Sequence, residues 1–305
     1  TTAGRTLTIS SQVSGSDGLL KVGAGTLILG GNNTFTGGVV LNAGTIQYDS
    51  ASNANIWGDA ANVITFTGNS TLYNSNNAYT LARSVAVNNG VTATLRGAFQ
   101  ESTNITGAVT GLGDVNISGD SNGWAVTMSN TANTLSGTVW VSSNAGQSTT
   151  LSVNSLADGA AGKFLRLGTG GESADFSLGA GTIAPVVWNN RQVQLAGTTG
   201  AVSIGNNATS AANTLTIMQN LSVTTAGAKT LTLGGSNTGA NTFAGVIGNG
   251  SGTIAITKSN GGRWILSNAA NSYTGTTTLS TNGGTLQVSK LSDGTFNSSI
   301  GASTS

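Results

Sequence analysis

Residues 23–48 read GAGTLILGGNNTFTGGVVLNAGTIQY. Apolar side chains fall on alternate positions: Leu27 and Leu29, Val39 and Leu41, Ile46 and Tyr48, with Gly and Asn filling the gaps. A period of two marks a strand with one buried face, whereas a helix would repeat its apolar residues at three and four. Gly and Asn are turn residues, Gly because it adopts positive φ and Asn because its amide bonds its own backbone. The stretch therefore predicts strands of about three to five residues, too short to be stable alone in water.

The same pattern recurs. In 252–288, GTIAITKSNGGRWILSNAANSYTGTTTLSTNGGTLQV, Trp264 and Leu266 take the places of Leu27 and Leu29. Asn271, Tyr273 and Gly275 match Asn33, Phe35 and Gly37, and Leu279 matches Leu41. Lys258 matches Lys21, and Gly284 to Val288 match Gly44 to Tyr48. A worn copy lies at 124–141, WAVTMSNTANTLSGTVWV, with Val126, Met128, Asn133, Leu135, Gly137 and Val141 in register. Fragments such as Thr6-Leu7-Thr8-Ile9 and Thr230-Leu231-Thr232-Leu233 repeat the alternation. The repeat is a structural unit of the chain rather than a local site.

Short repeated strands gain a ladder of backbone hydrogen bonds when each stacks on its counterpart one coil away. The expected fold is all-β: a single solenoid domain over residues 1–305, a parallel β-helix. At roughly 20 residues per coil the chain makes about 12–15 coils, about 60–70 Å long at the ~4.8 Å strand spacing. Asn is expected to stack into amide ladders. Phe35, Leu135 and Tyr273 are expected as core plugs under a corner, each contributing roughly 1.5–3 kcal/mol by burial. A sandwich or barrel is the competing arrangement, but such folds use longer strands and rarely repeat one motif three times.

Composition narrows function. Charged residues are 7% of the 305, and the net charge is +1, so no basic stripe exists to neutralise nucleic-acid phosphates. Val, Ile and Thr abound and there is one proline, Pro185, which disfavours disorder. There is no Cys and no His, which suits passage through an oxidising compartment and removes Ser-His-Asp, Cys-nucleophile and ordinary zinc chemistry. No apolar run reaches the length of a membrane-spanning helix. The chain begins Thr-Thr-Ala-Gly, so a processed form or a segment of a longer protein is expected.

The pattern Gly-Thr-Leu-x-Leu, Asn-x-aromatic-Thr-Gly, Gly-Thr-Leu-x-Val resembles the autotransporter-associated β-strand repeat of bacterial passenger domains, closely at 21–48 and 252–288 and loosely at 124–141. The tail Ser298-Ser299-Ile300-Gly301-Ala302-Ser303-Thr304-Ser305 is similar to a stretch that follows such repeats in very large surface proteins. The resemblance implies a right-handed β-helix exported to the bacterial surface, with a role in passenger folding, adhesion or fibre building. No transmembrane barrel is expected in this segment, since its roughly ten-residue amphipathic strands and aromatic girdles are missing.

An enzyme is the next class to weigh, because parallel β-helices also carry polysaccharide lyases and hydrolases. A glycosidase needs two facing carboxylates, and the ten acidic residues are scattered. The densest charge cluster is ADGAAGKFLRLGTGGESAD at 157–175. Asp158, Lys163, Arg166, Glu172 and Asp175, with Trp188 and Arg191 in VVWNNRQ, form the candidate ligand patch, placed in an irregular or looped region near 155–200. Its ligand would be a surface polysaccharide; a solvated bulge is the plainer reading. GLGDVNISGD at 111–120 holds one imperfect copy of a calcium-binding glycine repeat, which works only in tandem, so no metal or other cofactor is expected. Of Trp57, Trp124, Trp140, Trp188 and Trp264, most are expected in the core. Lys21 and Lys258 are expected to pack their stems at a coil edge. Neither end carries an amphipathic cap, so the ends are expected either to continue into more coils or to meet neighbouring subunits head to tail. The leading expectation is a structural stalk, fibre or filament subunit, not an enzyme.

Overall fold

The computed structural model describes residues 2–48, 55–75, 78–98, 102–120, 123–144, 146–199, 201–293 and 296–302. Residues 303–305 of the tail motif lie outside the described residues. Among the described residues every element is a strand of two to seven residues, and every paired strand is parallel to its neighbour. A ten-stranded sheet runs from Thr6–Ile9 to Ser222–Val223, and a nine-stranded sheet from Tyr79–Leu81 to Thr277–Leu279. Two five-stranded sheets complete the molecule, one from Leu19–Lys21 to Val109–Gly111, the other from Val186–Trp188 to Thr285–Val288.

The chain visits these sheets in a fixed order. Thr92–Gly97 lies on the ten-stranded sheet, Ser102–Ile105 on the nine-stranded sheet and Val109–Gly111 on a five-stranded one; Asp114–Gly119 then returns to the first. Gln192–Leu195, Ala201–Asn206 and Leu215–Ile217 repeat the order with the other five-stranded sheet. The two five-stranded sheets are therefore two halves of one third face. The result is a three-sided β-solenoid, with buried Leu, Ile and Val in its interior and Thr, Ser and Asn on its flanks.

The solenoid has about 11 turns, fewer than 12–15, because most of its coils are longer than 20 residues. Val13 and Asn33, on neighbouring coils, are 20 positions apart, but Arg166 and Gln194 are 28 apart. Strand length hardly changes; the corner loops absorb the difference, as at 154–163 and 207–214. Strands Phe164–Leu167, Ser173–Leu178, Val186–Trp188 and Gln192–Leu195 lie within 155–200.

The three motif copies occupy different faces. The first starts on the ten-stranded sheet (Leu27, Leu29) and the worn copy on the nine-stranded sheet (Val126, Met128). The last starts on the third face (Trp264, Leu266). In each, the plug and the second strand follow on the next two faces, so the repeat fits any side of the prism.

Its conserved geometry explains its residues. Asn33 Oδ1 accepts from Val13 N–H in the preceding coil at 2.8 Å, while Nδ2 donates to Ile56 O in the following coil at 2.8 Å. Asn133 does the same with Val109 N and Ser155 O, and Asn271 with Ile247 N and Ser299 O. These buried amides clamp three coils through backbone groups instead of forming the expected ladders; side-chain amide contacts occur elsewhere, as between Asn206 and Asn241. Phe35, Leu135 and Tyr273 are buried plugs.

Lys21 and Lys258 differ from the expectation of packed stems. Each is buried, and its ammonium is turned into a corner. Lys21 Nζ donates to the carbonyls of Val22, Gly23 and Ala43; Lys258 Nζ donates to those of Ser259, Asn260 and Gly283. The ammonium satisfies carbonyls that a tight corner cannot pair with N–H groups. Burial lowers both ammonium pKa values.

Candidate functional site: a groove on the ten-stranded face

The seven patch residues do not form one site. Arg191 is fully buried. It donates through Nε to Ala157 O at 3.0 Å, through Nη1 to Gly137 O at 2.8 Å and Phe164 O at 3.1 Å, and through Nη2 to Leu135 O at 3.1 Å. Burial pushes its guanidinium down to about 10, against the opposing pull of Asp158 and Asp114. The reason lies in the fold. Between Val109–Gly111 and Val186–Trp188 the third face has no strand among the described residues, and Arg191 satisfies carbonyls left there. Asp158 accepts from the N–H of Asn190 at 2.8 Å and that of Arg191 at 3.2 Å, fixing the turn. Trp188 is buried too, its ring 5.5 Å from Phe176 and its indole N–H directed at Leu156 O. Arg191 and Trp188 are interior architecture, and the half-buried Asp158 pins the turn beside them.

Glu172 folds back on its own turn and accepts from Thr169 N, Thr169 Oγ1 and Gly170 N. Burial alone would raise its carboxyl, but these donors outweigh it and hold the group below its ordinary range. Asp175 stands on the nine-stranded face, where burial raises its carboxyl and Ser203 Oγ donates to it at 2.5 Å. It borders a cavity of about 230 Å³ with Thr232 and Ser259. Among the described residues no three Asp or Glu side chains gather in one place.

Lys163 and Arg166 are brought together, and they meet two residues outside the predicted patch, Trp140 and Asp114. Strand Val139–Ser143 buries Val139 and Val141, so Trp140 between them points outward. Parallel register stacks Asn116, Trp140, Arg166 and Gln194 as one outward row on four successive coils. The Arg166 guanidinium carbon lies 4.9 Å from the Trp140 ring centroid, and its Nε donates to Gln194 Oε1 at 2.5 Å. The Trp140 indole N–H donates to Gly168 O at 3.0 Å, which locks the ring. Beside this row, Asp114 Oδ1 accepts from Thr138 N at 2.7 Å and from Lys163 Nζ at 2.9 Å, a bridge that spans the coil between them. The two rows enclose a cavity of about 380 Å³, lined by Asp114, Asn116, Thr138, Trp140, Lys163 and Arg166 among others. Trp140 differs from Trp57, Trp124, Trp188 and Trp264, which are all buried. Its outward side was legible: Val141 holds an inward motif position, so the residue before it must face out.

A similar stack sits further toward the N-terminus on the same sheet. Arg96 lies 5.0 Å from the Tyr73 ring centroid and donates to Asp120 at 2.7 Å. The hydrogen bond to Asp120 raises the Arg96 guanidinium. The sequence grammar is shared: aromatic, arginine, acceptor on successive coils. The electrostatics differ. Arg96 faces a carboxylate, whereas Arg166 faces a neutral amide, and Lys163 is already neutralised by Asp114. The groove therefore keeps one positive charge, on Arg166.

Residues 19–47 and 256–288 match the passenger-associated-transport-repeat family. The whole chain is 34% identical, over 319 aligned residues, to the adhesin BmaC autotransporter of Brucella suis biovar 1 (strain 1330), of whose length it spans 9%. No solved structure matches it.

Proposed function

We propose that this chain, which carries the passenger-associated-transport-repeat of bacterial surface-protein passengers, serves outside the cell as a rigid, non-catalytic stalk within a longer passenger. One observation supports this above the others: ten parallel strands stack in register along a single sheet, with every inward row continuing the one below. Such a stack resists bending, because tilting one coil breaks a whole row of ladder bonds. Both end coils also expose core rows. Leu7 is 50% exposed where its neighbour Leu27 is 5%, and at the other end Leu279 is 56% exposed. Further coils of the same polypeptide are the fitting cover, in keeping with the small share of its relative that the chain spans.

Electron microscopy of the surface protein with and without residues 1–305 tests this. Deletion should leave the protein on the surface and shorten it by roughly 50 Å, about 11 turns at ~4.8 Å each. An unchanged length, or loss of surface display, would count against a stalk. Continuous strings formed by the 305-residue chain alone would replace continuation with head-to-tail assembly of a filament.

A further inference from the structure

We propose that the groove beside Trp140 binds an acidic glycan, with Arg166 receiving a sugar carboxylate and Trp140 packing against the sugar ring. The inference does not rest on the stalk reading; it concerns one flank of the rod.

Three observations carry it. First, Trp140 is the one described tryptophan that is not buried, and its ring is held in place by the Gly168 carbonyl and by Arg166. A rigid aromatic wall binds a sugar's C–H face at little entropic cost. Second, only Nε of Arg166 has a hydrogen-bond partner among the described residues, so both Nη groups can address a planar anion as a fork. Third, the charge balance is specific. The Lys163–Asp114 pair cancels itself, and no carboxylate pairs with Arg166 among the described residues. The related stack at Arg96 is closed by Asp120 and has no charge to offer. Asn116 and Thr138 add polar contacts on the walls, suited to sugar hydroxyls. A cavity of about 380 Å³ falls within the usual range for small-molecule sites and holds one or two sugar residues. Nucleic acid would need a run of cations to match its phosphates, and among the described residues this groove provides only one that is uncompensated.

The carboxylate could belong to a uronic acid or to a sialic acid, and two matched pairs of probes separate them. Calorimetric titration of the 305-residue chain with oligogalacturonide against its methyl ester tests the first. Sialyllactose against lactose tests the second. The acid of one pair should bind, its neutral counterpart should bind at least about tenfold more weakly, and binding should weaken with salt. Arg166→Gln and Trp140→Ala should each weaken binding by about tenfold or more, while Arg166→Lys, which keeps the charge but loses the fork, should recover only part. Arg96→Gln should change nothing. Circular dichroism matching that of the unmodified chain confirms that each variant is folded. No binding to any of the four probes, equal binding of acid and neutral forms, or full binding by a folded Arg166→Gln chain would each overturn the proposal.

Discussion

Asn33, Asn133 and Asn271 carry the repeat. A side chain that accepts from the coil below and donates to the coil above cannot be replaced by an apolar residue of similar size. Asn271→Ala would orphan Ile247 N–H and Ser299 O in a buried setting, costing about 1–3 kcal/mol for each group. Hydrogen exchange should show the Ile247 amide losing its protection, and Asn271→Asp, which keeps the acceptor, should preserve more of it than Ala does. An Ile247 amide as protected in the Ala variant as before would refute the clamp. The buried tyrosines make a second residue-scale prediction. Burial pushes the Tyr273 phenol up to about 12, against the hydrogen bond to Thr277, and raises Tyr48 as well. An unfolded phenol ionises near 10. Between about 10 and 12 the native chain therefore holds protons that the unfolded chain has lost, and stability falls as pH rises through that window. In an alkaline titration, phenolate absorbance should lag behind that of a model peptide and then rise with unfolding.

At the scale of one element, the corner decides whether two coils can stack. Gly37, Gly137 and Gly275 stand at the same motif position, and none has a positive φ. Their need for hydrogen is steric. A Cβ on Gly137 would lie 1.8 Å from Gly113 O, and one on Gly275 2.4 Å from Ile254 O, both backbone atoms of the coil below. Gly44 and Gly284 serve the left-handed corners, at φ 77° and 62°. Gly137→Ala should therefore push two coils apart in the middle of the rod and open a protease site near the corner, read by mass spectrometry of the fragments. A variant as resistant as the parent chain would mean the corner can give. The positions of these glycines were legible in the repeat; which of them needed φ and which needed clearance was not, because a sequence does not display the neighbouring coil.

Across the whole molecule, stability should follow position along the axis. Interior coils bury their rows on both sides, whereas the first and last expose Leu7 and Leu279, so amide protection should rise from each end to the middle, as in other stacked repeats. Uniform protection would indicate that something covers the ends. The sequence by itself determined the architecture: its period of two, its threefold motif and its turn residues permit short stacked strands and little else. It also named Lys163 and Arg166. Only the tertiary structure decided the number of turns, because loop length at corners is free of the strand pattern. It also decided that each motif copy starts on a different face, that Arg191 and Trp188 turn inward, and that Trp140 and Asp114 join Lys163 and Arg166. Parity along a strand tells which side a residue faces. Who stands beside it, one coil up, depends on register between segments about 20 to 28 residues apart.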